Sequence, residues 1–278
     1  MIAFDFKYFK PATAEETCET WNEVQRQGEK PMIFSGGTEI ITFARVNKLY
    51  TDAVIDIKGI KECNVLELQE NEIVIGAAVS LNKITDSKLF PLLGDTVKQI
   101  ADRTSRNKIT IGGNINSQLI YKEGVLPLLL VDAKVKLAKK KGEEVVPLQS
   151  IFDKELKMGP GEMLLQVIIN ASAVDLPYAN IKRTKFSKVG YPVVSVAALV
   201  KDNQTRVAFS GVCSYPFRSH EVETILNDSK LTISERVEKV IGHLSSEIID
   251  DLQGTKGYRI FVLRNILLDI AEELGMAE

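Results

Sequence analysis

Two double glycines, each directly after a run of β-favouring residues, constrain the fold of this 278-residue chain more than any other feature. Gly36-Gly37 follows the apolar residues 31–34 and precedes an amphipathic stretch, and Gly112-Gly113 follows residues 108–111. Glycine allows positive φ and close approach to the backbone, and successive exposed amides can bind an anion. We therefore expect two turns able to hold a phosphate. Isolated double glycines mostly mark structural turns, however, and that alternative stays open at this point.

The order of apolar patterns predicts a mixed α and β protein with two kinds of domain. Strand, glycine turn, helix and strand patterns at residues 31–57 are typical of a small α/β unit. From residue 193 onward a hairpin pattern is followed by three helical patterns, which indicates a separate α+β domain. We expect a first domain at residues 1–174, with subdomains 1–57 and 58–174, and a C-terminal domain at residues 175–278.

Composition argues against several classes of protein. The formal net charge is −2, whereas a chain that binds nucleic acid is usually strongly basic, so no nucleic-acid partner is expected. No apolar run is long enough for a membrane span. The first residues lack the basic region and long apolar stretch of a signal peptide, so the expected location is the cytoplasm. Cys18, Cys63 and Cys213 form no Cys-x-x-Cys pair, which argues against an iron–sulfur or zinc site in this chain.

The sequence offers no set of catalytic side chains. His220 and His243 are the two histidines, and neither has the spacing of a metal ligand. The Gly-x-Ser-x-Gly elbow, the Gly-x-Gly-x-x-Gly dinucleotide motif and the phosphate-loop motif are absent. We therefore predict no catalytic residue and no metal site, and expect a bound cofactor to supply the chemistry.

The two glycine segments resemble the FAD motifs of one family. Residues 34–40, Phe-Ser-Gly-Gly-Thr-Glu-Ile, resemble the first FAD motif of the medium subunit of the xanthine dehydrogenase and carbon monoxide dehydrogenase family, whose enzymes are molybdenum hydroxylases. Residues 110–115, Thr-Ile-Gly-Gly-Asn-Ile, resemble the second motif closely. Weaker similarity extends over essentially the whole chain. The resemblance implies a p-cresol-methylhydroxylase-type FAD-binding fold, with two α/β subdomains and a small α+β C-terminal domain.

The resemblance also implies which residues bind FAD. Twelve lie in the two motifs or directly before the first: Ile33, Phe34, Ser35, Gly36, Gly37, Thr38, Glu39, Thr110, Ile111, Gly112, Gly113 and Asn114. Tyr191 falls where the family places a residue against the isoalloxazine ring, although ordinary packing is an alternative, and Lys182 falls near a commonly basic position. The chain departs from the family at Gly124 and Gly190, where relatives carry acidic residues.

The function implied by the resemblance is a redox relay. A molybdopterin-binding large subunit would oxidise the substrate, and a [2Fe-2S] small subunit would pass the electrons to FAD on this chain. FAD would then reduce NAD or another acceptor, in a heterotrimer that is itself doubled. Two alternatives stay open: a stand-alone flavin oxidoreductase of the same fold, and a non-catalytic scaffold subunit that has lost FAD.

Overall fold

The chain begins with a small parallel sheet. The computed structural model describes residues 2–187 and 189–276. The sheet has the strand order β1-β3-β2, and two helices accompany it. Its elements are β1 (Lys7–Phe9), α1 (Ala14–Arg26), β2 (Pro31–Phe34), α2 (Thr38–Arg45) and β3 (Ala53–Asp56). All four residues of the central strand β3 are buried. The predicted strand, glycine turn, helix and strand are confirmed, while β1 is an addition.

A five-stranded antiparallel sheet forms the centre of the following region, in the order β4-β5-β10-β6-β7. Its strands are β4 (Leu66–Gln69), β5 (Glu72–Gly76), β6 (Lys134–Lys139), β7 (Gly142–Pro147) and β10 (Met163–Asn170). Between them lie α3 (Leu81–Ser87), α4 (Pro91–Lys98), α5 (Arg103–Arg106), α6 (Ile111–Ile115), α7 (Val125–Leu130) and α8 (Leu148–Ile151), with a short hairpin of β8 (Phe152–Asp153) and β9 (Glu155–Leu156). The first seven residues of the central strand β10 are buried.

The C-terminal region is a four-stranded antiparallel sheet followed by three helices. The strands follow chain order: β11 (Tyr178–Thr184), β12 (Pro192–Lys201), β13 (Gln204–Ser210) and β14 (Phe217–Arg218). The helices are α9 (His220–Leu226), α10 (Ile233–Leu244) and α11 (Lys256–Glu273). Asp202 and Asn203 join β12 to β13 with φ of 54° and 59°, the backbone that a tight two-residue hairpin turn needs. The predicted hairpin and three helices are confirmed.

Two hydrophobic clusters hold these elements together. The larger packs the five-stranded sheet against α3, α4 and α7, and the smaller packs the C-terminal sheet against α9, α10 and α11. Ala197, Leu199 and Ala208 of the C-terminal sheet belong to the larger cluster. That sheet is therefore covered on both faces, which explains why residues 192–199 are a continuous buried run rather than an alternating one.

Polar contacts also join the C-terminal sheet to the preceding region. Asp132 accepts hydrogen bonds from Arg206 at 2.6 Å and from Arg218 at 2.8 Å. The Ser210 hydroxyl donates to the Tyr121 carbonyl at 2.6 Å. The predicted boundaries near residues 57 and 174 stay predictions. None of the described helices is long and apolar enough to cross a membrane.

Candidate cofactor site

A cavity of about 1000 Å³ lies between the two glycine segments and the C-terminal sheet. Its volume is at the upper end of the range for small-molecule and cofactor pockets. Twelve of the fourteen predicted site residues line it: Ile33, Ser35, Gly36, Gly37, Thr38, Glu39, Thr110, Gly112, Gly113, Asn114, Lys182 and Tyr191. Phe34 and Ile111 do not. The Phe34 ring lies under the Lys58 ammonium, 4.5 Å from its centroid, and Ile111 is completely buried in the larger hydrophobic cluster.

The first glycine segment presents free backbone amides at the start of α2. Gly37 has φ of 71° and precedes the helix, which has no side-chain cap. Within residues 2–187 and 189–276, the amides of Gly36, Gly37 and Thr38 donate to no protein group. The first amide to find a helical partner is that of Ile41, which donates to the Gly37 carbonyl at 2.8 Å. Free amides at a helix N-terminus form an anion-binding site, so this segment can hold a phosphate.

The second glycine segment has a different backbone, and the prediction of a β-run leading into a turn was wrong there. Residues 111–115 form the helix α6, and the Thr110 side chain caps it by accepting from the Gly113 amide at 3.2 Å. The Gly112 amide donates to Ala77 at 3.0 Å, and the Asn114 amide donates to Thr110 at 2.8 Å. Neither glycine has positive φ. The amides of this segment are therefore already used, and it cannot be an anion-binding nest.

The glycines of both segments allow close packing of the protein on itself. A Cβ atom at Gly36 would lie 2.0 Å from the Lys108 carbonyl oxygen, so the two segments touch backbone to backbone. A Cβ at Gly112 would lie 2.7 Å from that of Ala77. A Cβ at Gly113 would have the Thr110 hydroxyl oxygen as its nearest neighbour, at 3.1 Å. Gly36 and Gly112 are thus required by the fold, whereas Gly113 forms an open part of the cavity wall.

Side-chain hydrogen bonds connect the two segments. The Thr110 hydroxyl donates to the Ser35 hydroxyl at 3.0 Å. The Glu39 carboxylate accepts from the Gln118 amide at 2.8 Å and from the Ser117 hydroxyl. The Asn114 side-chain oxygen accepts from the Gly124 amide at 2.9 Å. Glu39 and Asn114 therefore fix the loop that follows α6 and shape the cavity from its wall.

A buried ion pair lies in the wall near Tyr191. The Lys182 ammonium is 3.0 Å from the Glu123 carboxylate, and the two side chains are 3% and 5% exposed. The same ammonium donates to the Gln99 carbonyl at 2.9 Å. Burial raises the pKa of Glu123, and the charge of Lys182 opposes that rise. The second carboxylate oxygen of Glu123 is buried and has no partner among the described residues.

Two stacked tyrosines form the wall beside this ion pair. The rings of Tyr121 and Tyr191 are 4.7 Å apart with an interplanar angle of 15°. Tyr121 is buried, while Tyr191 is half exposed. Burial raises the pKa of both phenols, so both stay neutral at physiological pH. The pair offers a flat, uncharged surface to a ligand.

The structure gives a reason for the glycine at position 124. A Cβ atom there would lie 2.6 Å from the Asn114 side-chain oxygen. A larger residue would therefore displace Asn114 and break its hydrogen bond with the amide of residue 124. The preceding residue, Glu123, also lines the cavity, and its carboxylate is paired with Lys182. Gly190 also lines the cavity, but an added Cβ would meet no atom closer than 3.8 Å.

Sequence reasoning missed several residues of the wall. Trp21, the sole tryptophan of the chain, packs against Gly161, and its indole N–H is buried with no partner among the described residues. Tyr121 and Lys122 were also missed. The two motifs gave no signal for these residues, because they lie outside the motifs, in α1 and in the irregular segment before α7.

A second cavity of about 620 Å³ adjoins the first. The two share Ala101, Lys182 and Val189. Its wall includes the basic residues Lys98, Arg103 and Arg106 and the acidic residue Asp102, and Arg103 is paired with Asp86 at 3.0 Å. Ala101 has φ of 48°, an unusual backbone conformation for a residue with a side chain, and its carbonyl accepts from Arg106 at 2.7 Å.

Comparison with known proteins identifies the family. Residues 4–171 match the family described as "FAD binding domain in molybdopterin dehydrogenase". The chain is 28% identical over 264 residues to the nicotinate dehydrogenase FAD-subunit of Eubacterium barkeri, covering 88% of this chain and 87% of the relative. It is 26% identical over 260 residues to the glyceraldehyde dehydrogenase medium chain of Sulfolobus acidocaldarius, covering 87% and 89%.

A solved structure has the same fold over its whole length. A chain of carbon monoxide dehydrogenase from Hydrogenophaga pseudoflava superposes with a TM-score of 0.87 and 22% identity, and 99% of each chain is covered. The expected fold, the resemblance and the FAD cofactor are confirmed. The chain therefore belongs to the family of FAD-binding domains in molybdopterin dehydrogenases and is an FAD-dependent oxidoreductase subunit.

Proposed function

We propose that this chain is the electron-transfer subunit of a molybdenum hydroxylase, receiving electrons from a [2Fe-2S] subunit and delivering them from FAD to NAD or another acceptor. The observation that carries the proposal is the cavity of about 1000 Å³ bounded by both FAD motifs, with free amides in its wall. FAD supplies the redox chemistry when it is bound, and the protein positions it and controls its surroundings.

The amides of Gly36, Gly37 and Thr38 are the proposed donors to the FAD pyrophosphate. They lie at the N-terminus of α2, where the helix dipole also favours negative charge. Thr110 and Gly113 line the cavity next to this segment. In this proposal the second motif contributes shape and the positioning of Ser35, because its own amides are used within the protein.

Tyr191 and Tyr121 are the proposed neighbours of the isoalloxazine ring. The flat stack of the two phenols can cover an aromatic ring and exclude water from it. The Glu123–Lys182 pair, almost completely buried beside them, would fix the polarity of this end without a net charge. Tyr191 and Lys182 both line the cavity, which supports the flavin contact that the resemblance implies for Tyr191.

The proposed partners are a molybdopterin-binding large subunit and a [2Fe-2S] small subunit. Support comes from the relatives, which are described as an FAD-subunit and a medium chain. A second support is the apolar surface next to the Tyr191 end of the cavity. Phe186 and Leu252 are 89% and 91% exposed, and Lys185 joins their loops by donating to the Leu252 carbonyl at 2.8 Å. Exposed apolar residues of this size suit a subunit interface.

The basic second cavity supports an anionic acceptor such as NAD. It shares part of its wall with the FAD cavity, so an acceptor bound there would be close to the flavin. Lys98 would attract a nucleotide pyrophosphate. A cytoplasmic location, expected from the sequence, stays a prediction.

Reconstitution of the full chain with FAD tests this proposal. We expect a flavin absorption spectrum, quenching of the Trp21 fluorescence, and co-purification with the two partner subunits. In the complex, substrate should reduce the flavin only when the [2Fe-2S] subunit is present. Absence of flavin bands after reconstitution would favour the scaffold, and complete substrate turnover by the isolated chain would favour the stand-alone flavoenzyme.

A further inference from the structure

Lys122 is a buried lysine in the wall of the main cavity. It is 6% exposed, and its backbone has φ of 37°. Its ammonium donates to the Lys154 carbonyl at 2.9 Å and lies 5.9 Å from the centre of the Phe152 ring. An ammonium has three N–H donors, and within residues 2–187 and 189–276 this contact is the single hydrogen bond that the Lys122 ammonium makes.

A buried ammonium normally has an anionic partner. Among the described residues, no carboxylate lies within 4 Å of Lys122. Burial lowers the pKa of Lys122, although the more distant carboxylates of Glu155 and Glu39 act in the opposite direction. The protein thus holds a positive charge in the wall of a cavity without neutralising it.

Lys182 is the other cation in the described wall of the cavity, and Glu123 neutralises it at 3.0 Å. The remaining charged groups of the wall are the carboxylates of Glu39 and Glu162. An anionic ligand of this cavity therefore finds one ammonium that is not already paired with a carboxylate.

Lys122 lines the same cavity as the free amides of Gly36, Gly37 and Thr38. Its charge is influenced by Glu39, which lies in the first turn of α2, directly after the amides of Gly37 and Thr38. Its hydrogen bond to Lys154 fixes the β8–β9 hairpin, and the chain leaving that hairpin lines the cavity at Leu156 and Met158. Lys122 thus belongs to the wall of the cavity and is held there by the hairpin.

We propose that Lys122 donates to the pyrophosphate of FAD and completes the anion site that the amides of Gly36, Gly37 and Thr38 begin. A compact ammonium with two unused donors suits a phosphate oxygen. This inference rests on the proposed function, because it presupposes that FAD occupies the cavity.

Binding measurements on the full chain with three ligands test the proposal. FAD and ADP carry the diphosphate, whereas riboflavin carries none. For K122M we expect FAD and ADP affinity to fall roughly ten- to a hundredfold, the range for a charge-assisted hydrogen bond, while riboflavin affinity stays unchanged. K122R should keep most of the affinity. K122Q, which can still donate to Lys154, should lose affinity like K122M.

K157M provides the matched control. Lys157 is exposed and paired with Glu155, and both charges act on Lys122. K157M therefore removes one positive charge, as K122M does, but leaves the cavity wall unchanged. We expect near wild-type binding for K157M. Far-UV circular dichroism and thermal unfolding verify that each variant is folded.

Two results would overturn the proposal. If K122M and K122Q bind FAD and ADP like the wild type, Lys122 does not contact the pyrophosphate. If their affinity for riboflavin falls as much as their affinity for FAD and ADP, Lys122 stabilises the β8–β9 hairpin and does not contact the pyrophosphate. Failure of the wild type itself to bind FAD would instead refute the proposed function, so the two failures are distinguishable.

Discussion

Separate replacement of Lys182 and Glu123 should show how the buried ion pair beside Tyr191 is stabilised. The two side chains are 3% and 5% exposed and 3.0 Å apart, so removing either leaves the other charge in a site with little access to water. Loss of one partner from such a pair costs about 3–5 kcal/mol of the free energy of unfolding. We expect this cost for E123Q, because the Lys182 ammonium is then buried without its carboxylate partner.

K182M should differ from E123Q in its dependence on pH. Burial, the main influence, raises the pKa of Glu123, and in K182M no ammonium opposes it. The folded state then binds the proton more tightly than the unfolded chain, whose carboxyl has a pKa of about 4.3. Stability of K182M is therefore greatest below that pH and falls as the pH rises towards the folded pKa, by at most about 1.4 kcal/mol per pH unit. E123Q lacks this carboxyl and should not show this loss.

Urea unfolding followed by circular dichroism, at constant ionic strength between about pH 5 and pH 8, measures both effects. The double variant E123L/K182M serves as control. It removes both charges, so it should be much less destabilised than either single variant. The reasoning is refuted if K182M loses no more stability at the higher pH than at the lower, or if the double variant costs as much as the sum of the two single ones.

Two further predictions concern the glycine segment and the tyrosine stack. G36A would bring a Cβ atom to 2.0 Å from the Lys108 carbonyl oxygen. We therefore expect the free energy of unfolding to fall by about 1–3 kcal/mol or more, together with weaker FAD binding. G242A, in the interior of α10 with no atom near the added Cβ, should instead stabilise the protein by up to about 1 kcal/mol, and equal melting temperatures for the two variants would contradict this. Y191A should cost about 0.5–1.5 kcal/mol for the aromatic pair, in addition to the area that the half-buried Tyr191 covers, and should expose the bound flavin to iodide quenching. Unchanged quenching would mean that Tyr191 does not cover the ring.

The first glycine segment was predictable because its local signals agree. An apolar strand, a double glycine and an amphipathic stretch follow one another, and each forms the expected element, β2, the turn at Gly37 and α2. Free amides then follow from geometry, since the first amides of a helix have no partner within it. The hairpin at Asp202 and Asn203 was predictable for the same reason.

The second segment shows where local signals fail. Residues 108–111 contain β-branched side chains and favour a strand, but Thr110 caps a five-residue helix whose amides are fixed by carbonyls of Ala77 and Val79. Those partners are more than thirty residues away in the chain, so no local pattern contains them. Strand β11 was missed because no clear alternation marks it, and β1 because it has three residues and is mostly exposed. Lys122 was missed because a single lysine in a sequence does not reveal that it is buried.

The C-terminal sheet contributes to both hydrophobic clusters, and this restricts how a cofactor as large as FAD can enter. A hinge motion that swung the sheet away would expose Ala197, Leu199 and Ala208 to water and would break the contacts of Asp132 with Arg206 and Arg218. Loading of FAD should therefore proceed through displacement of surface loops, with the two clusters intact. Cross-linking the sheet to α7 should then leave the rate of FAD uptake unchanged.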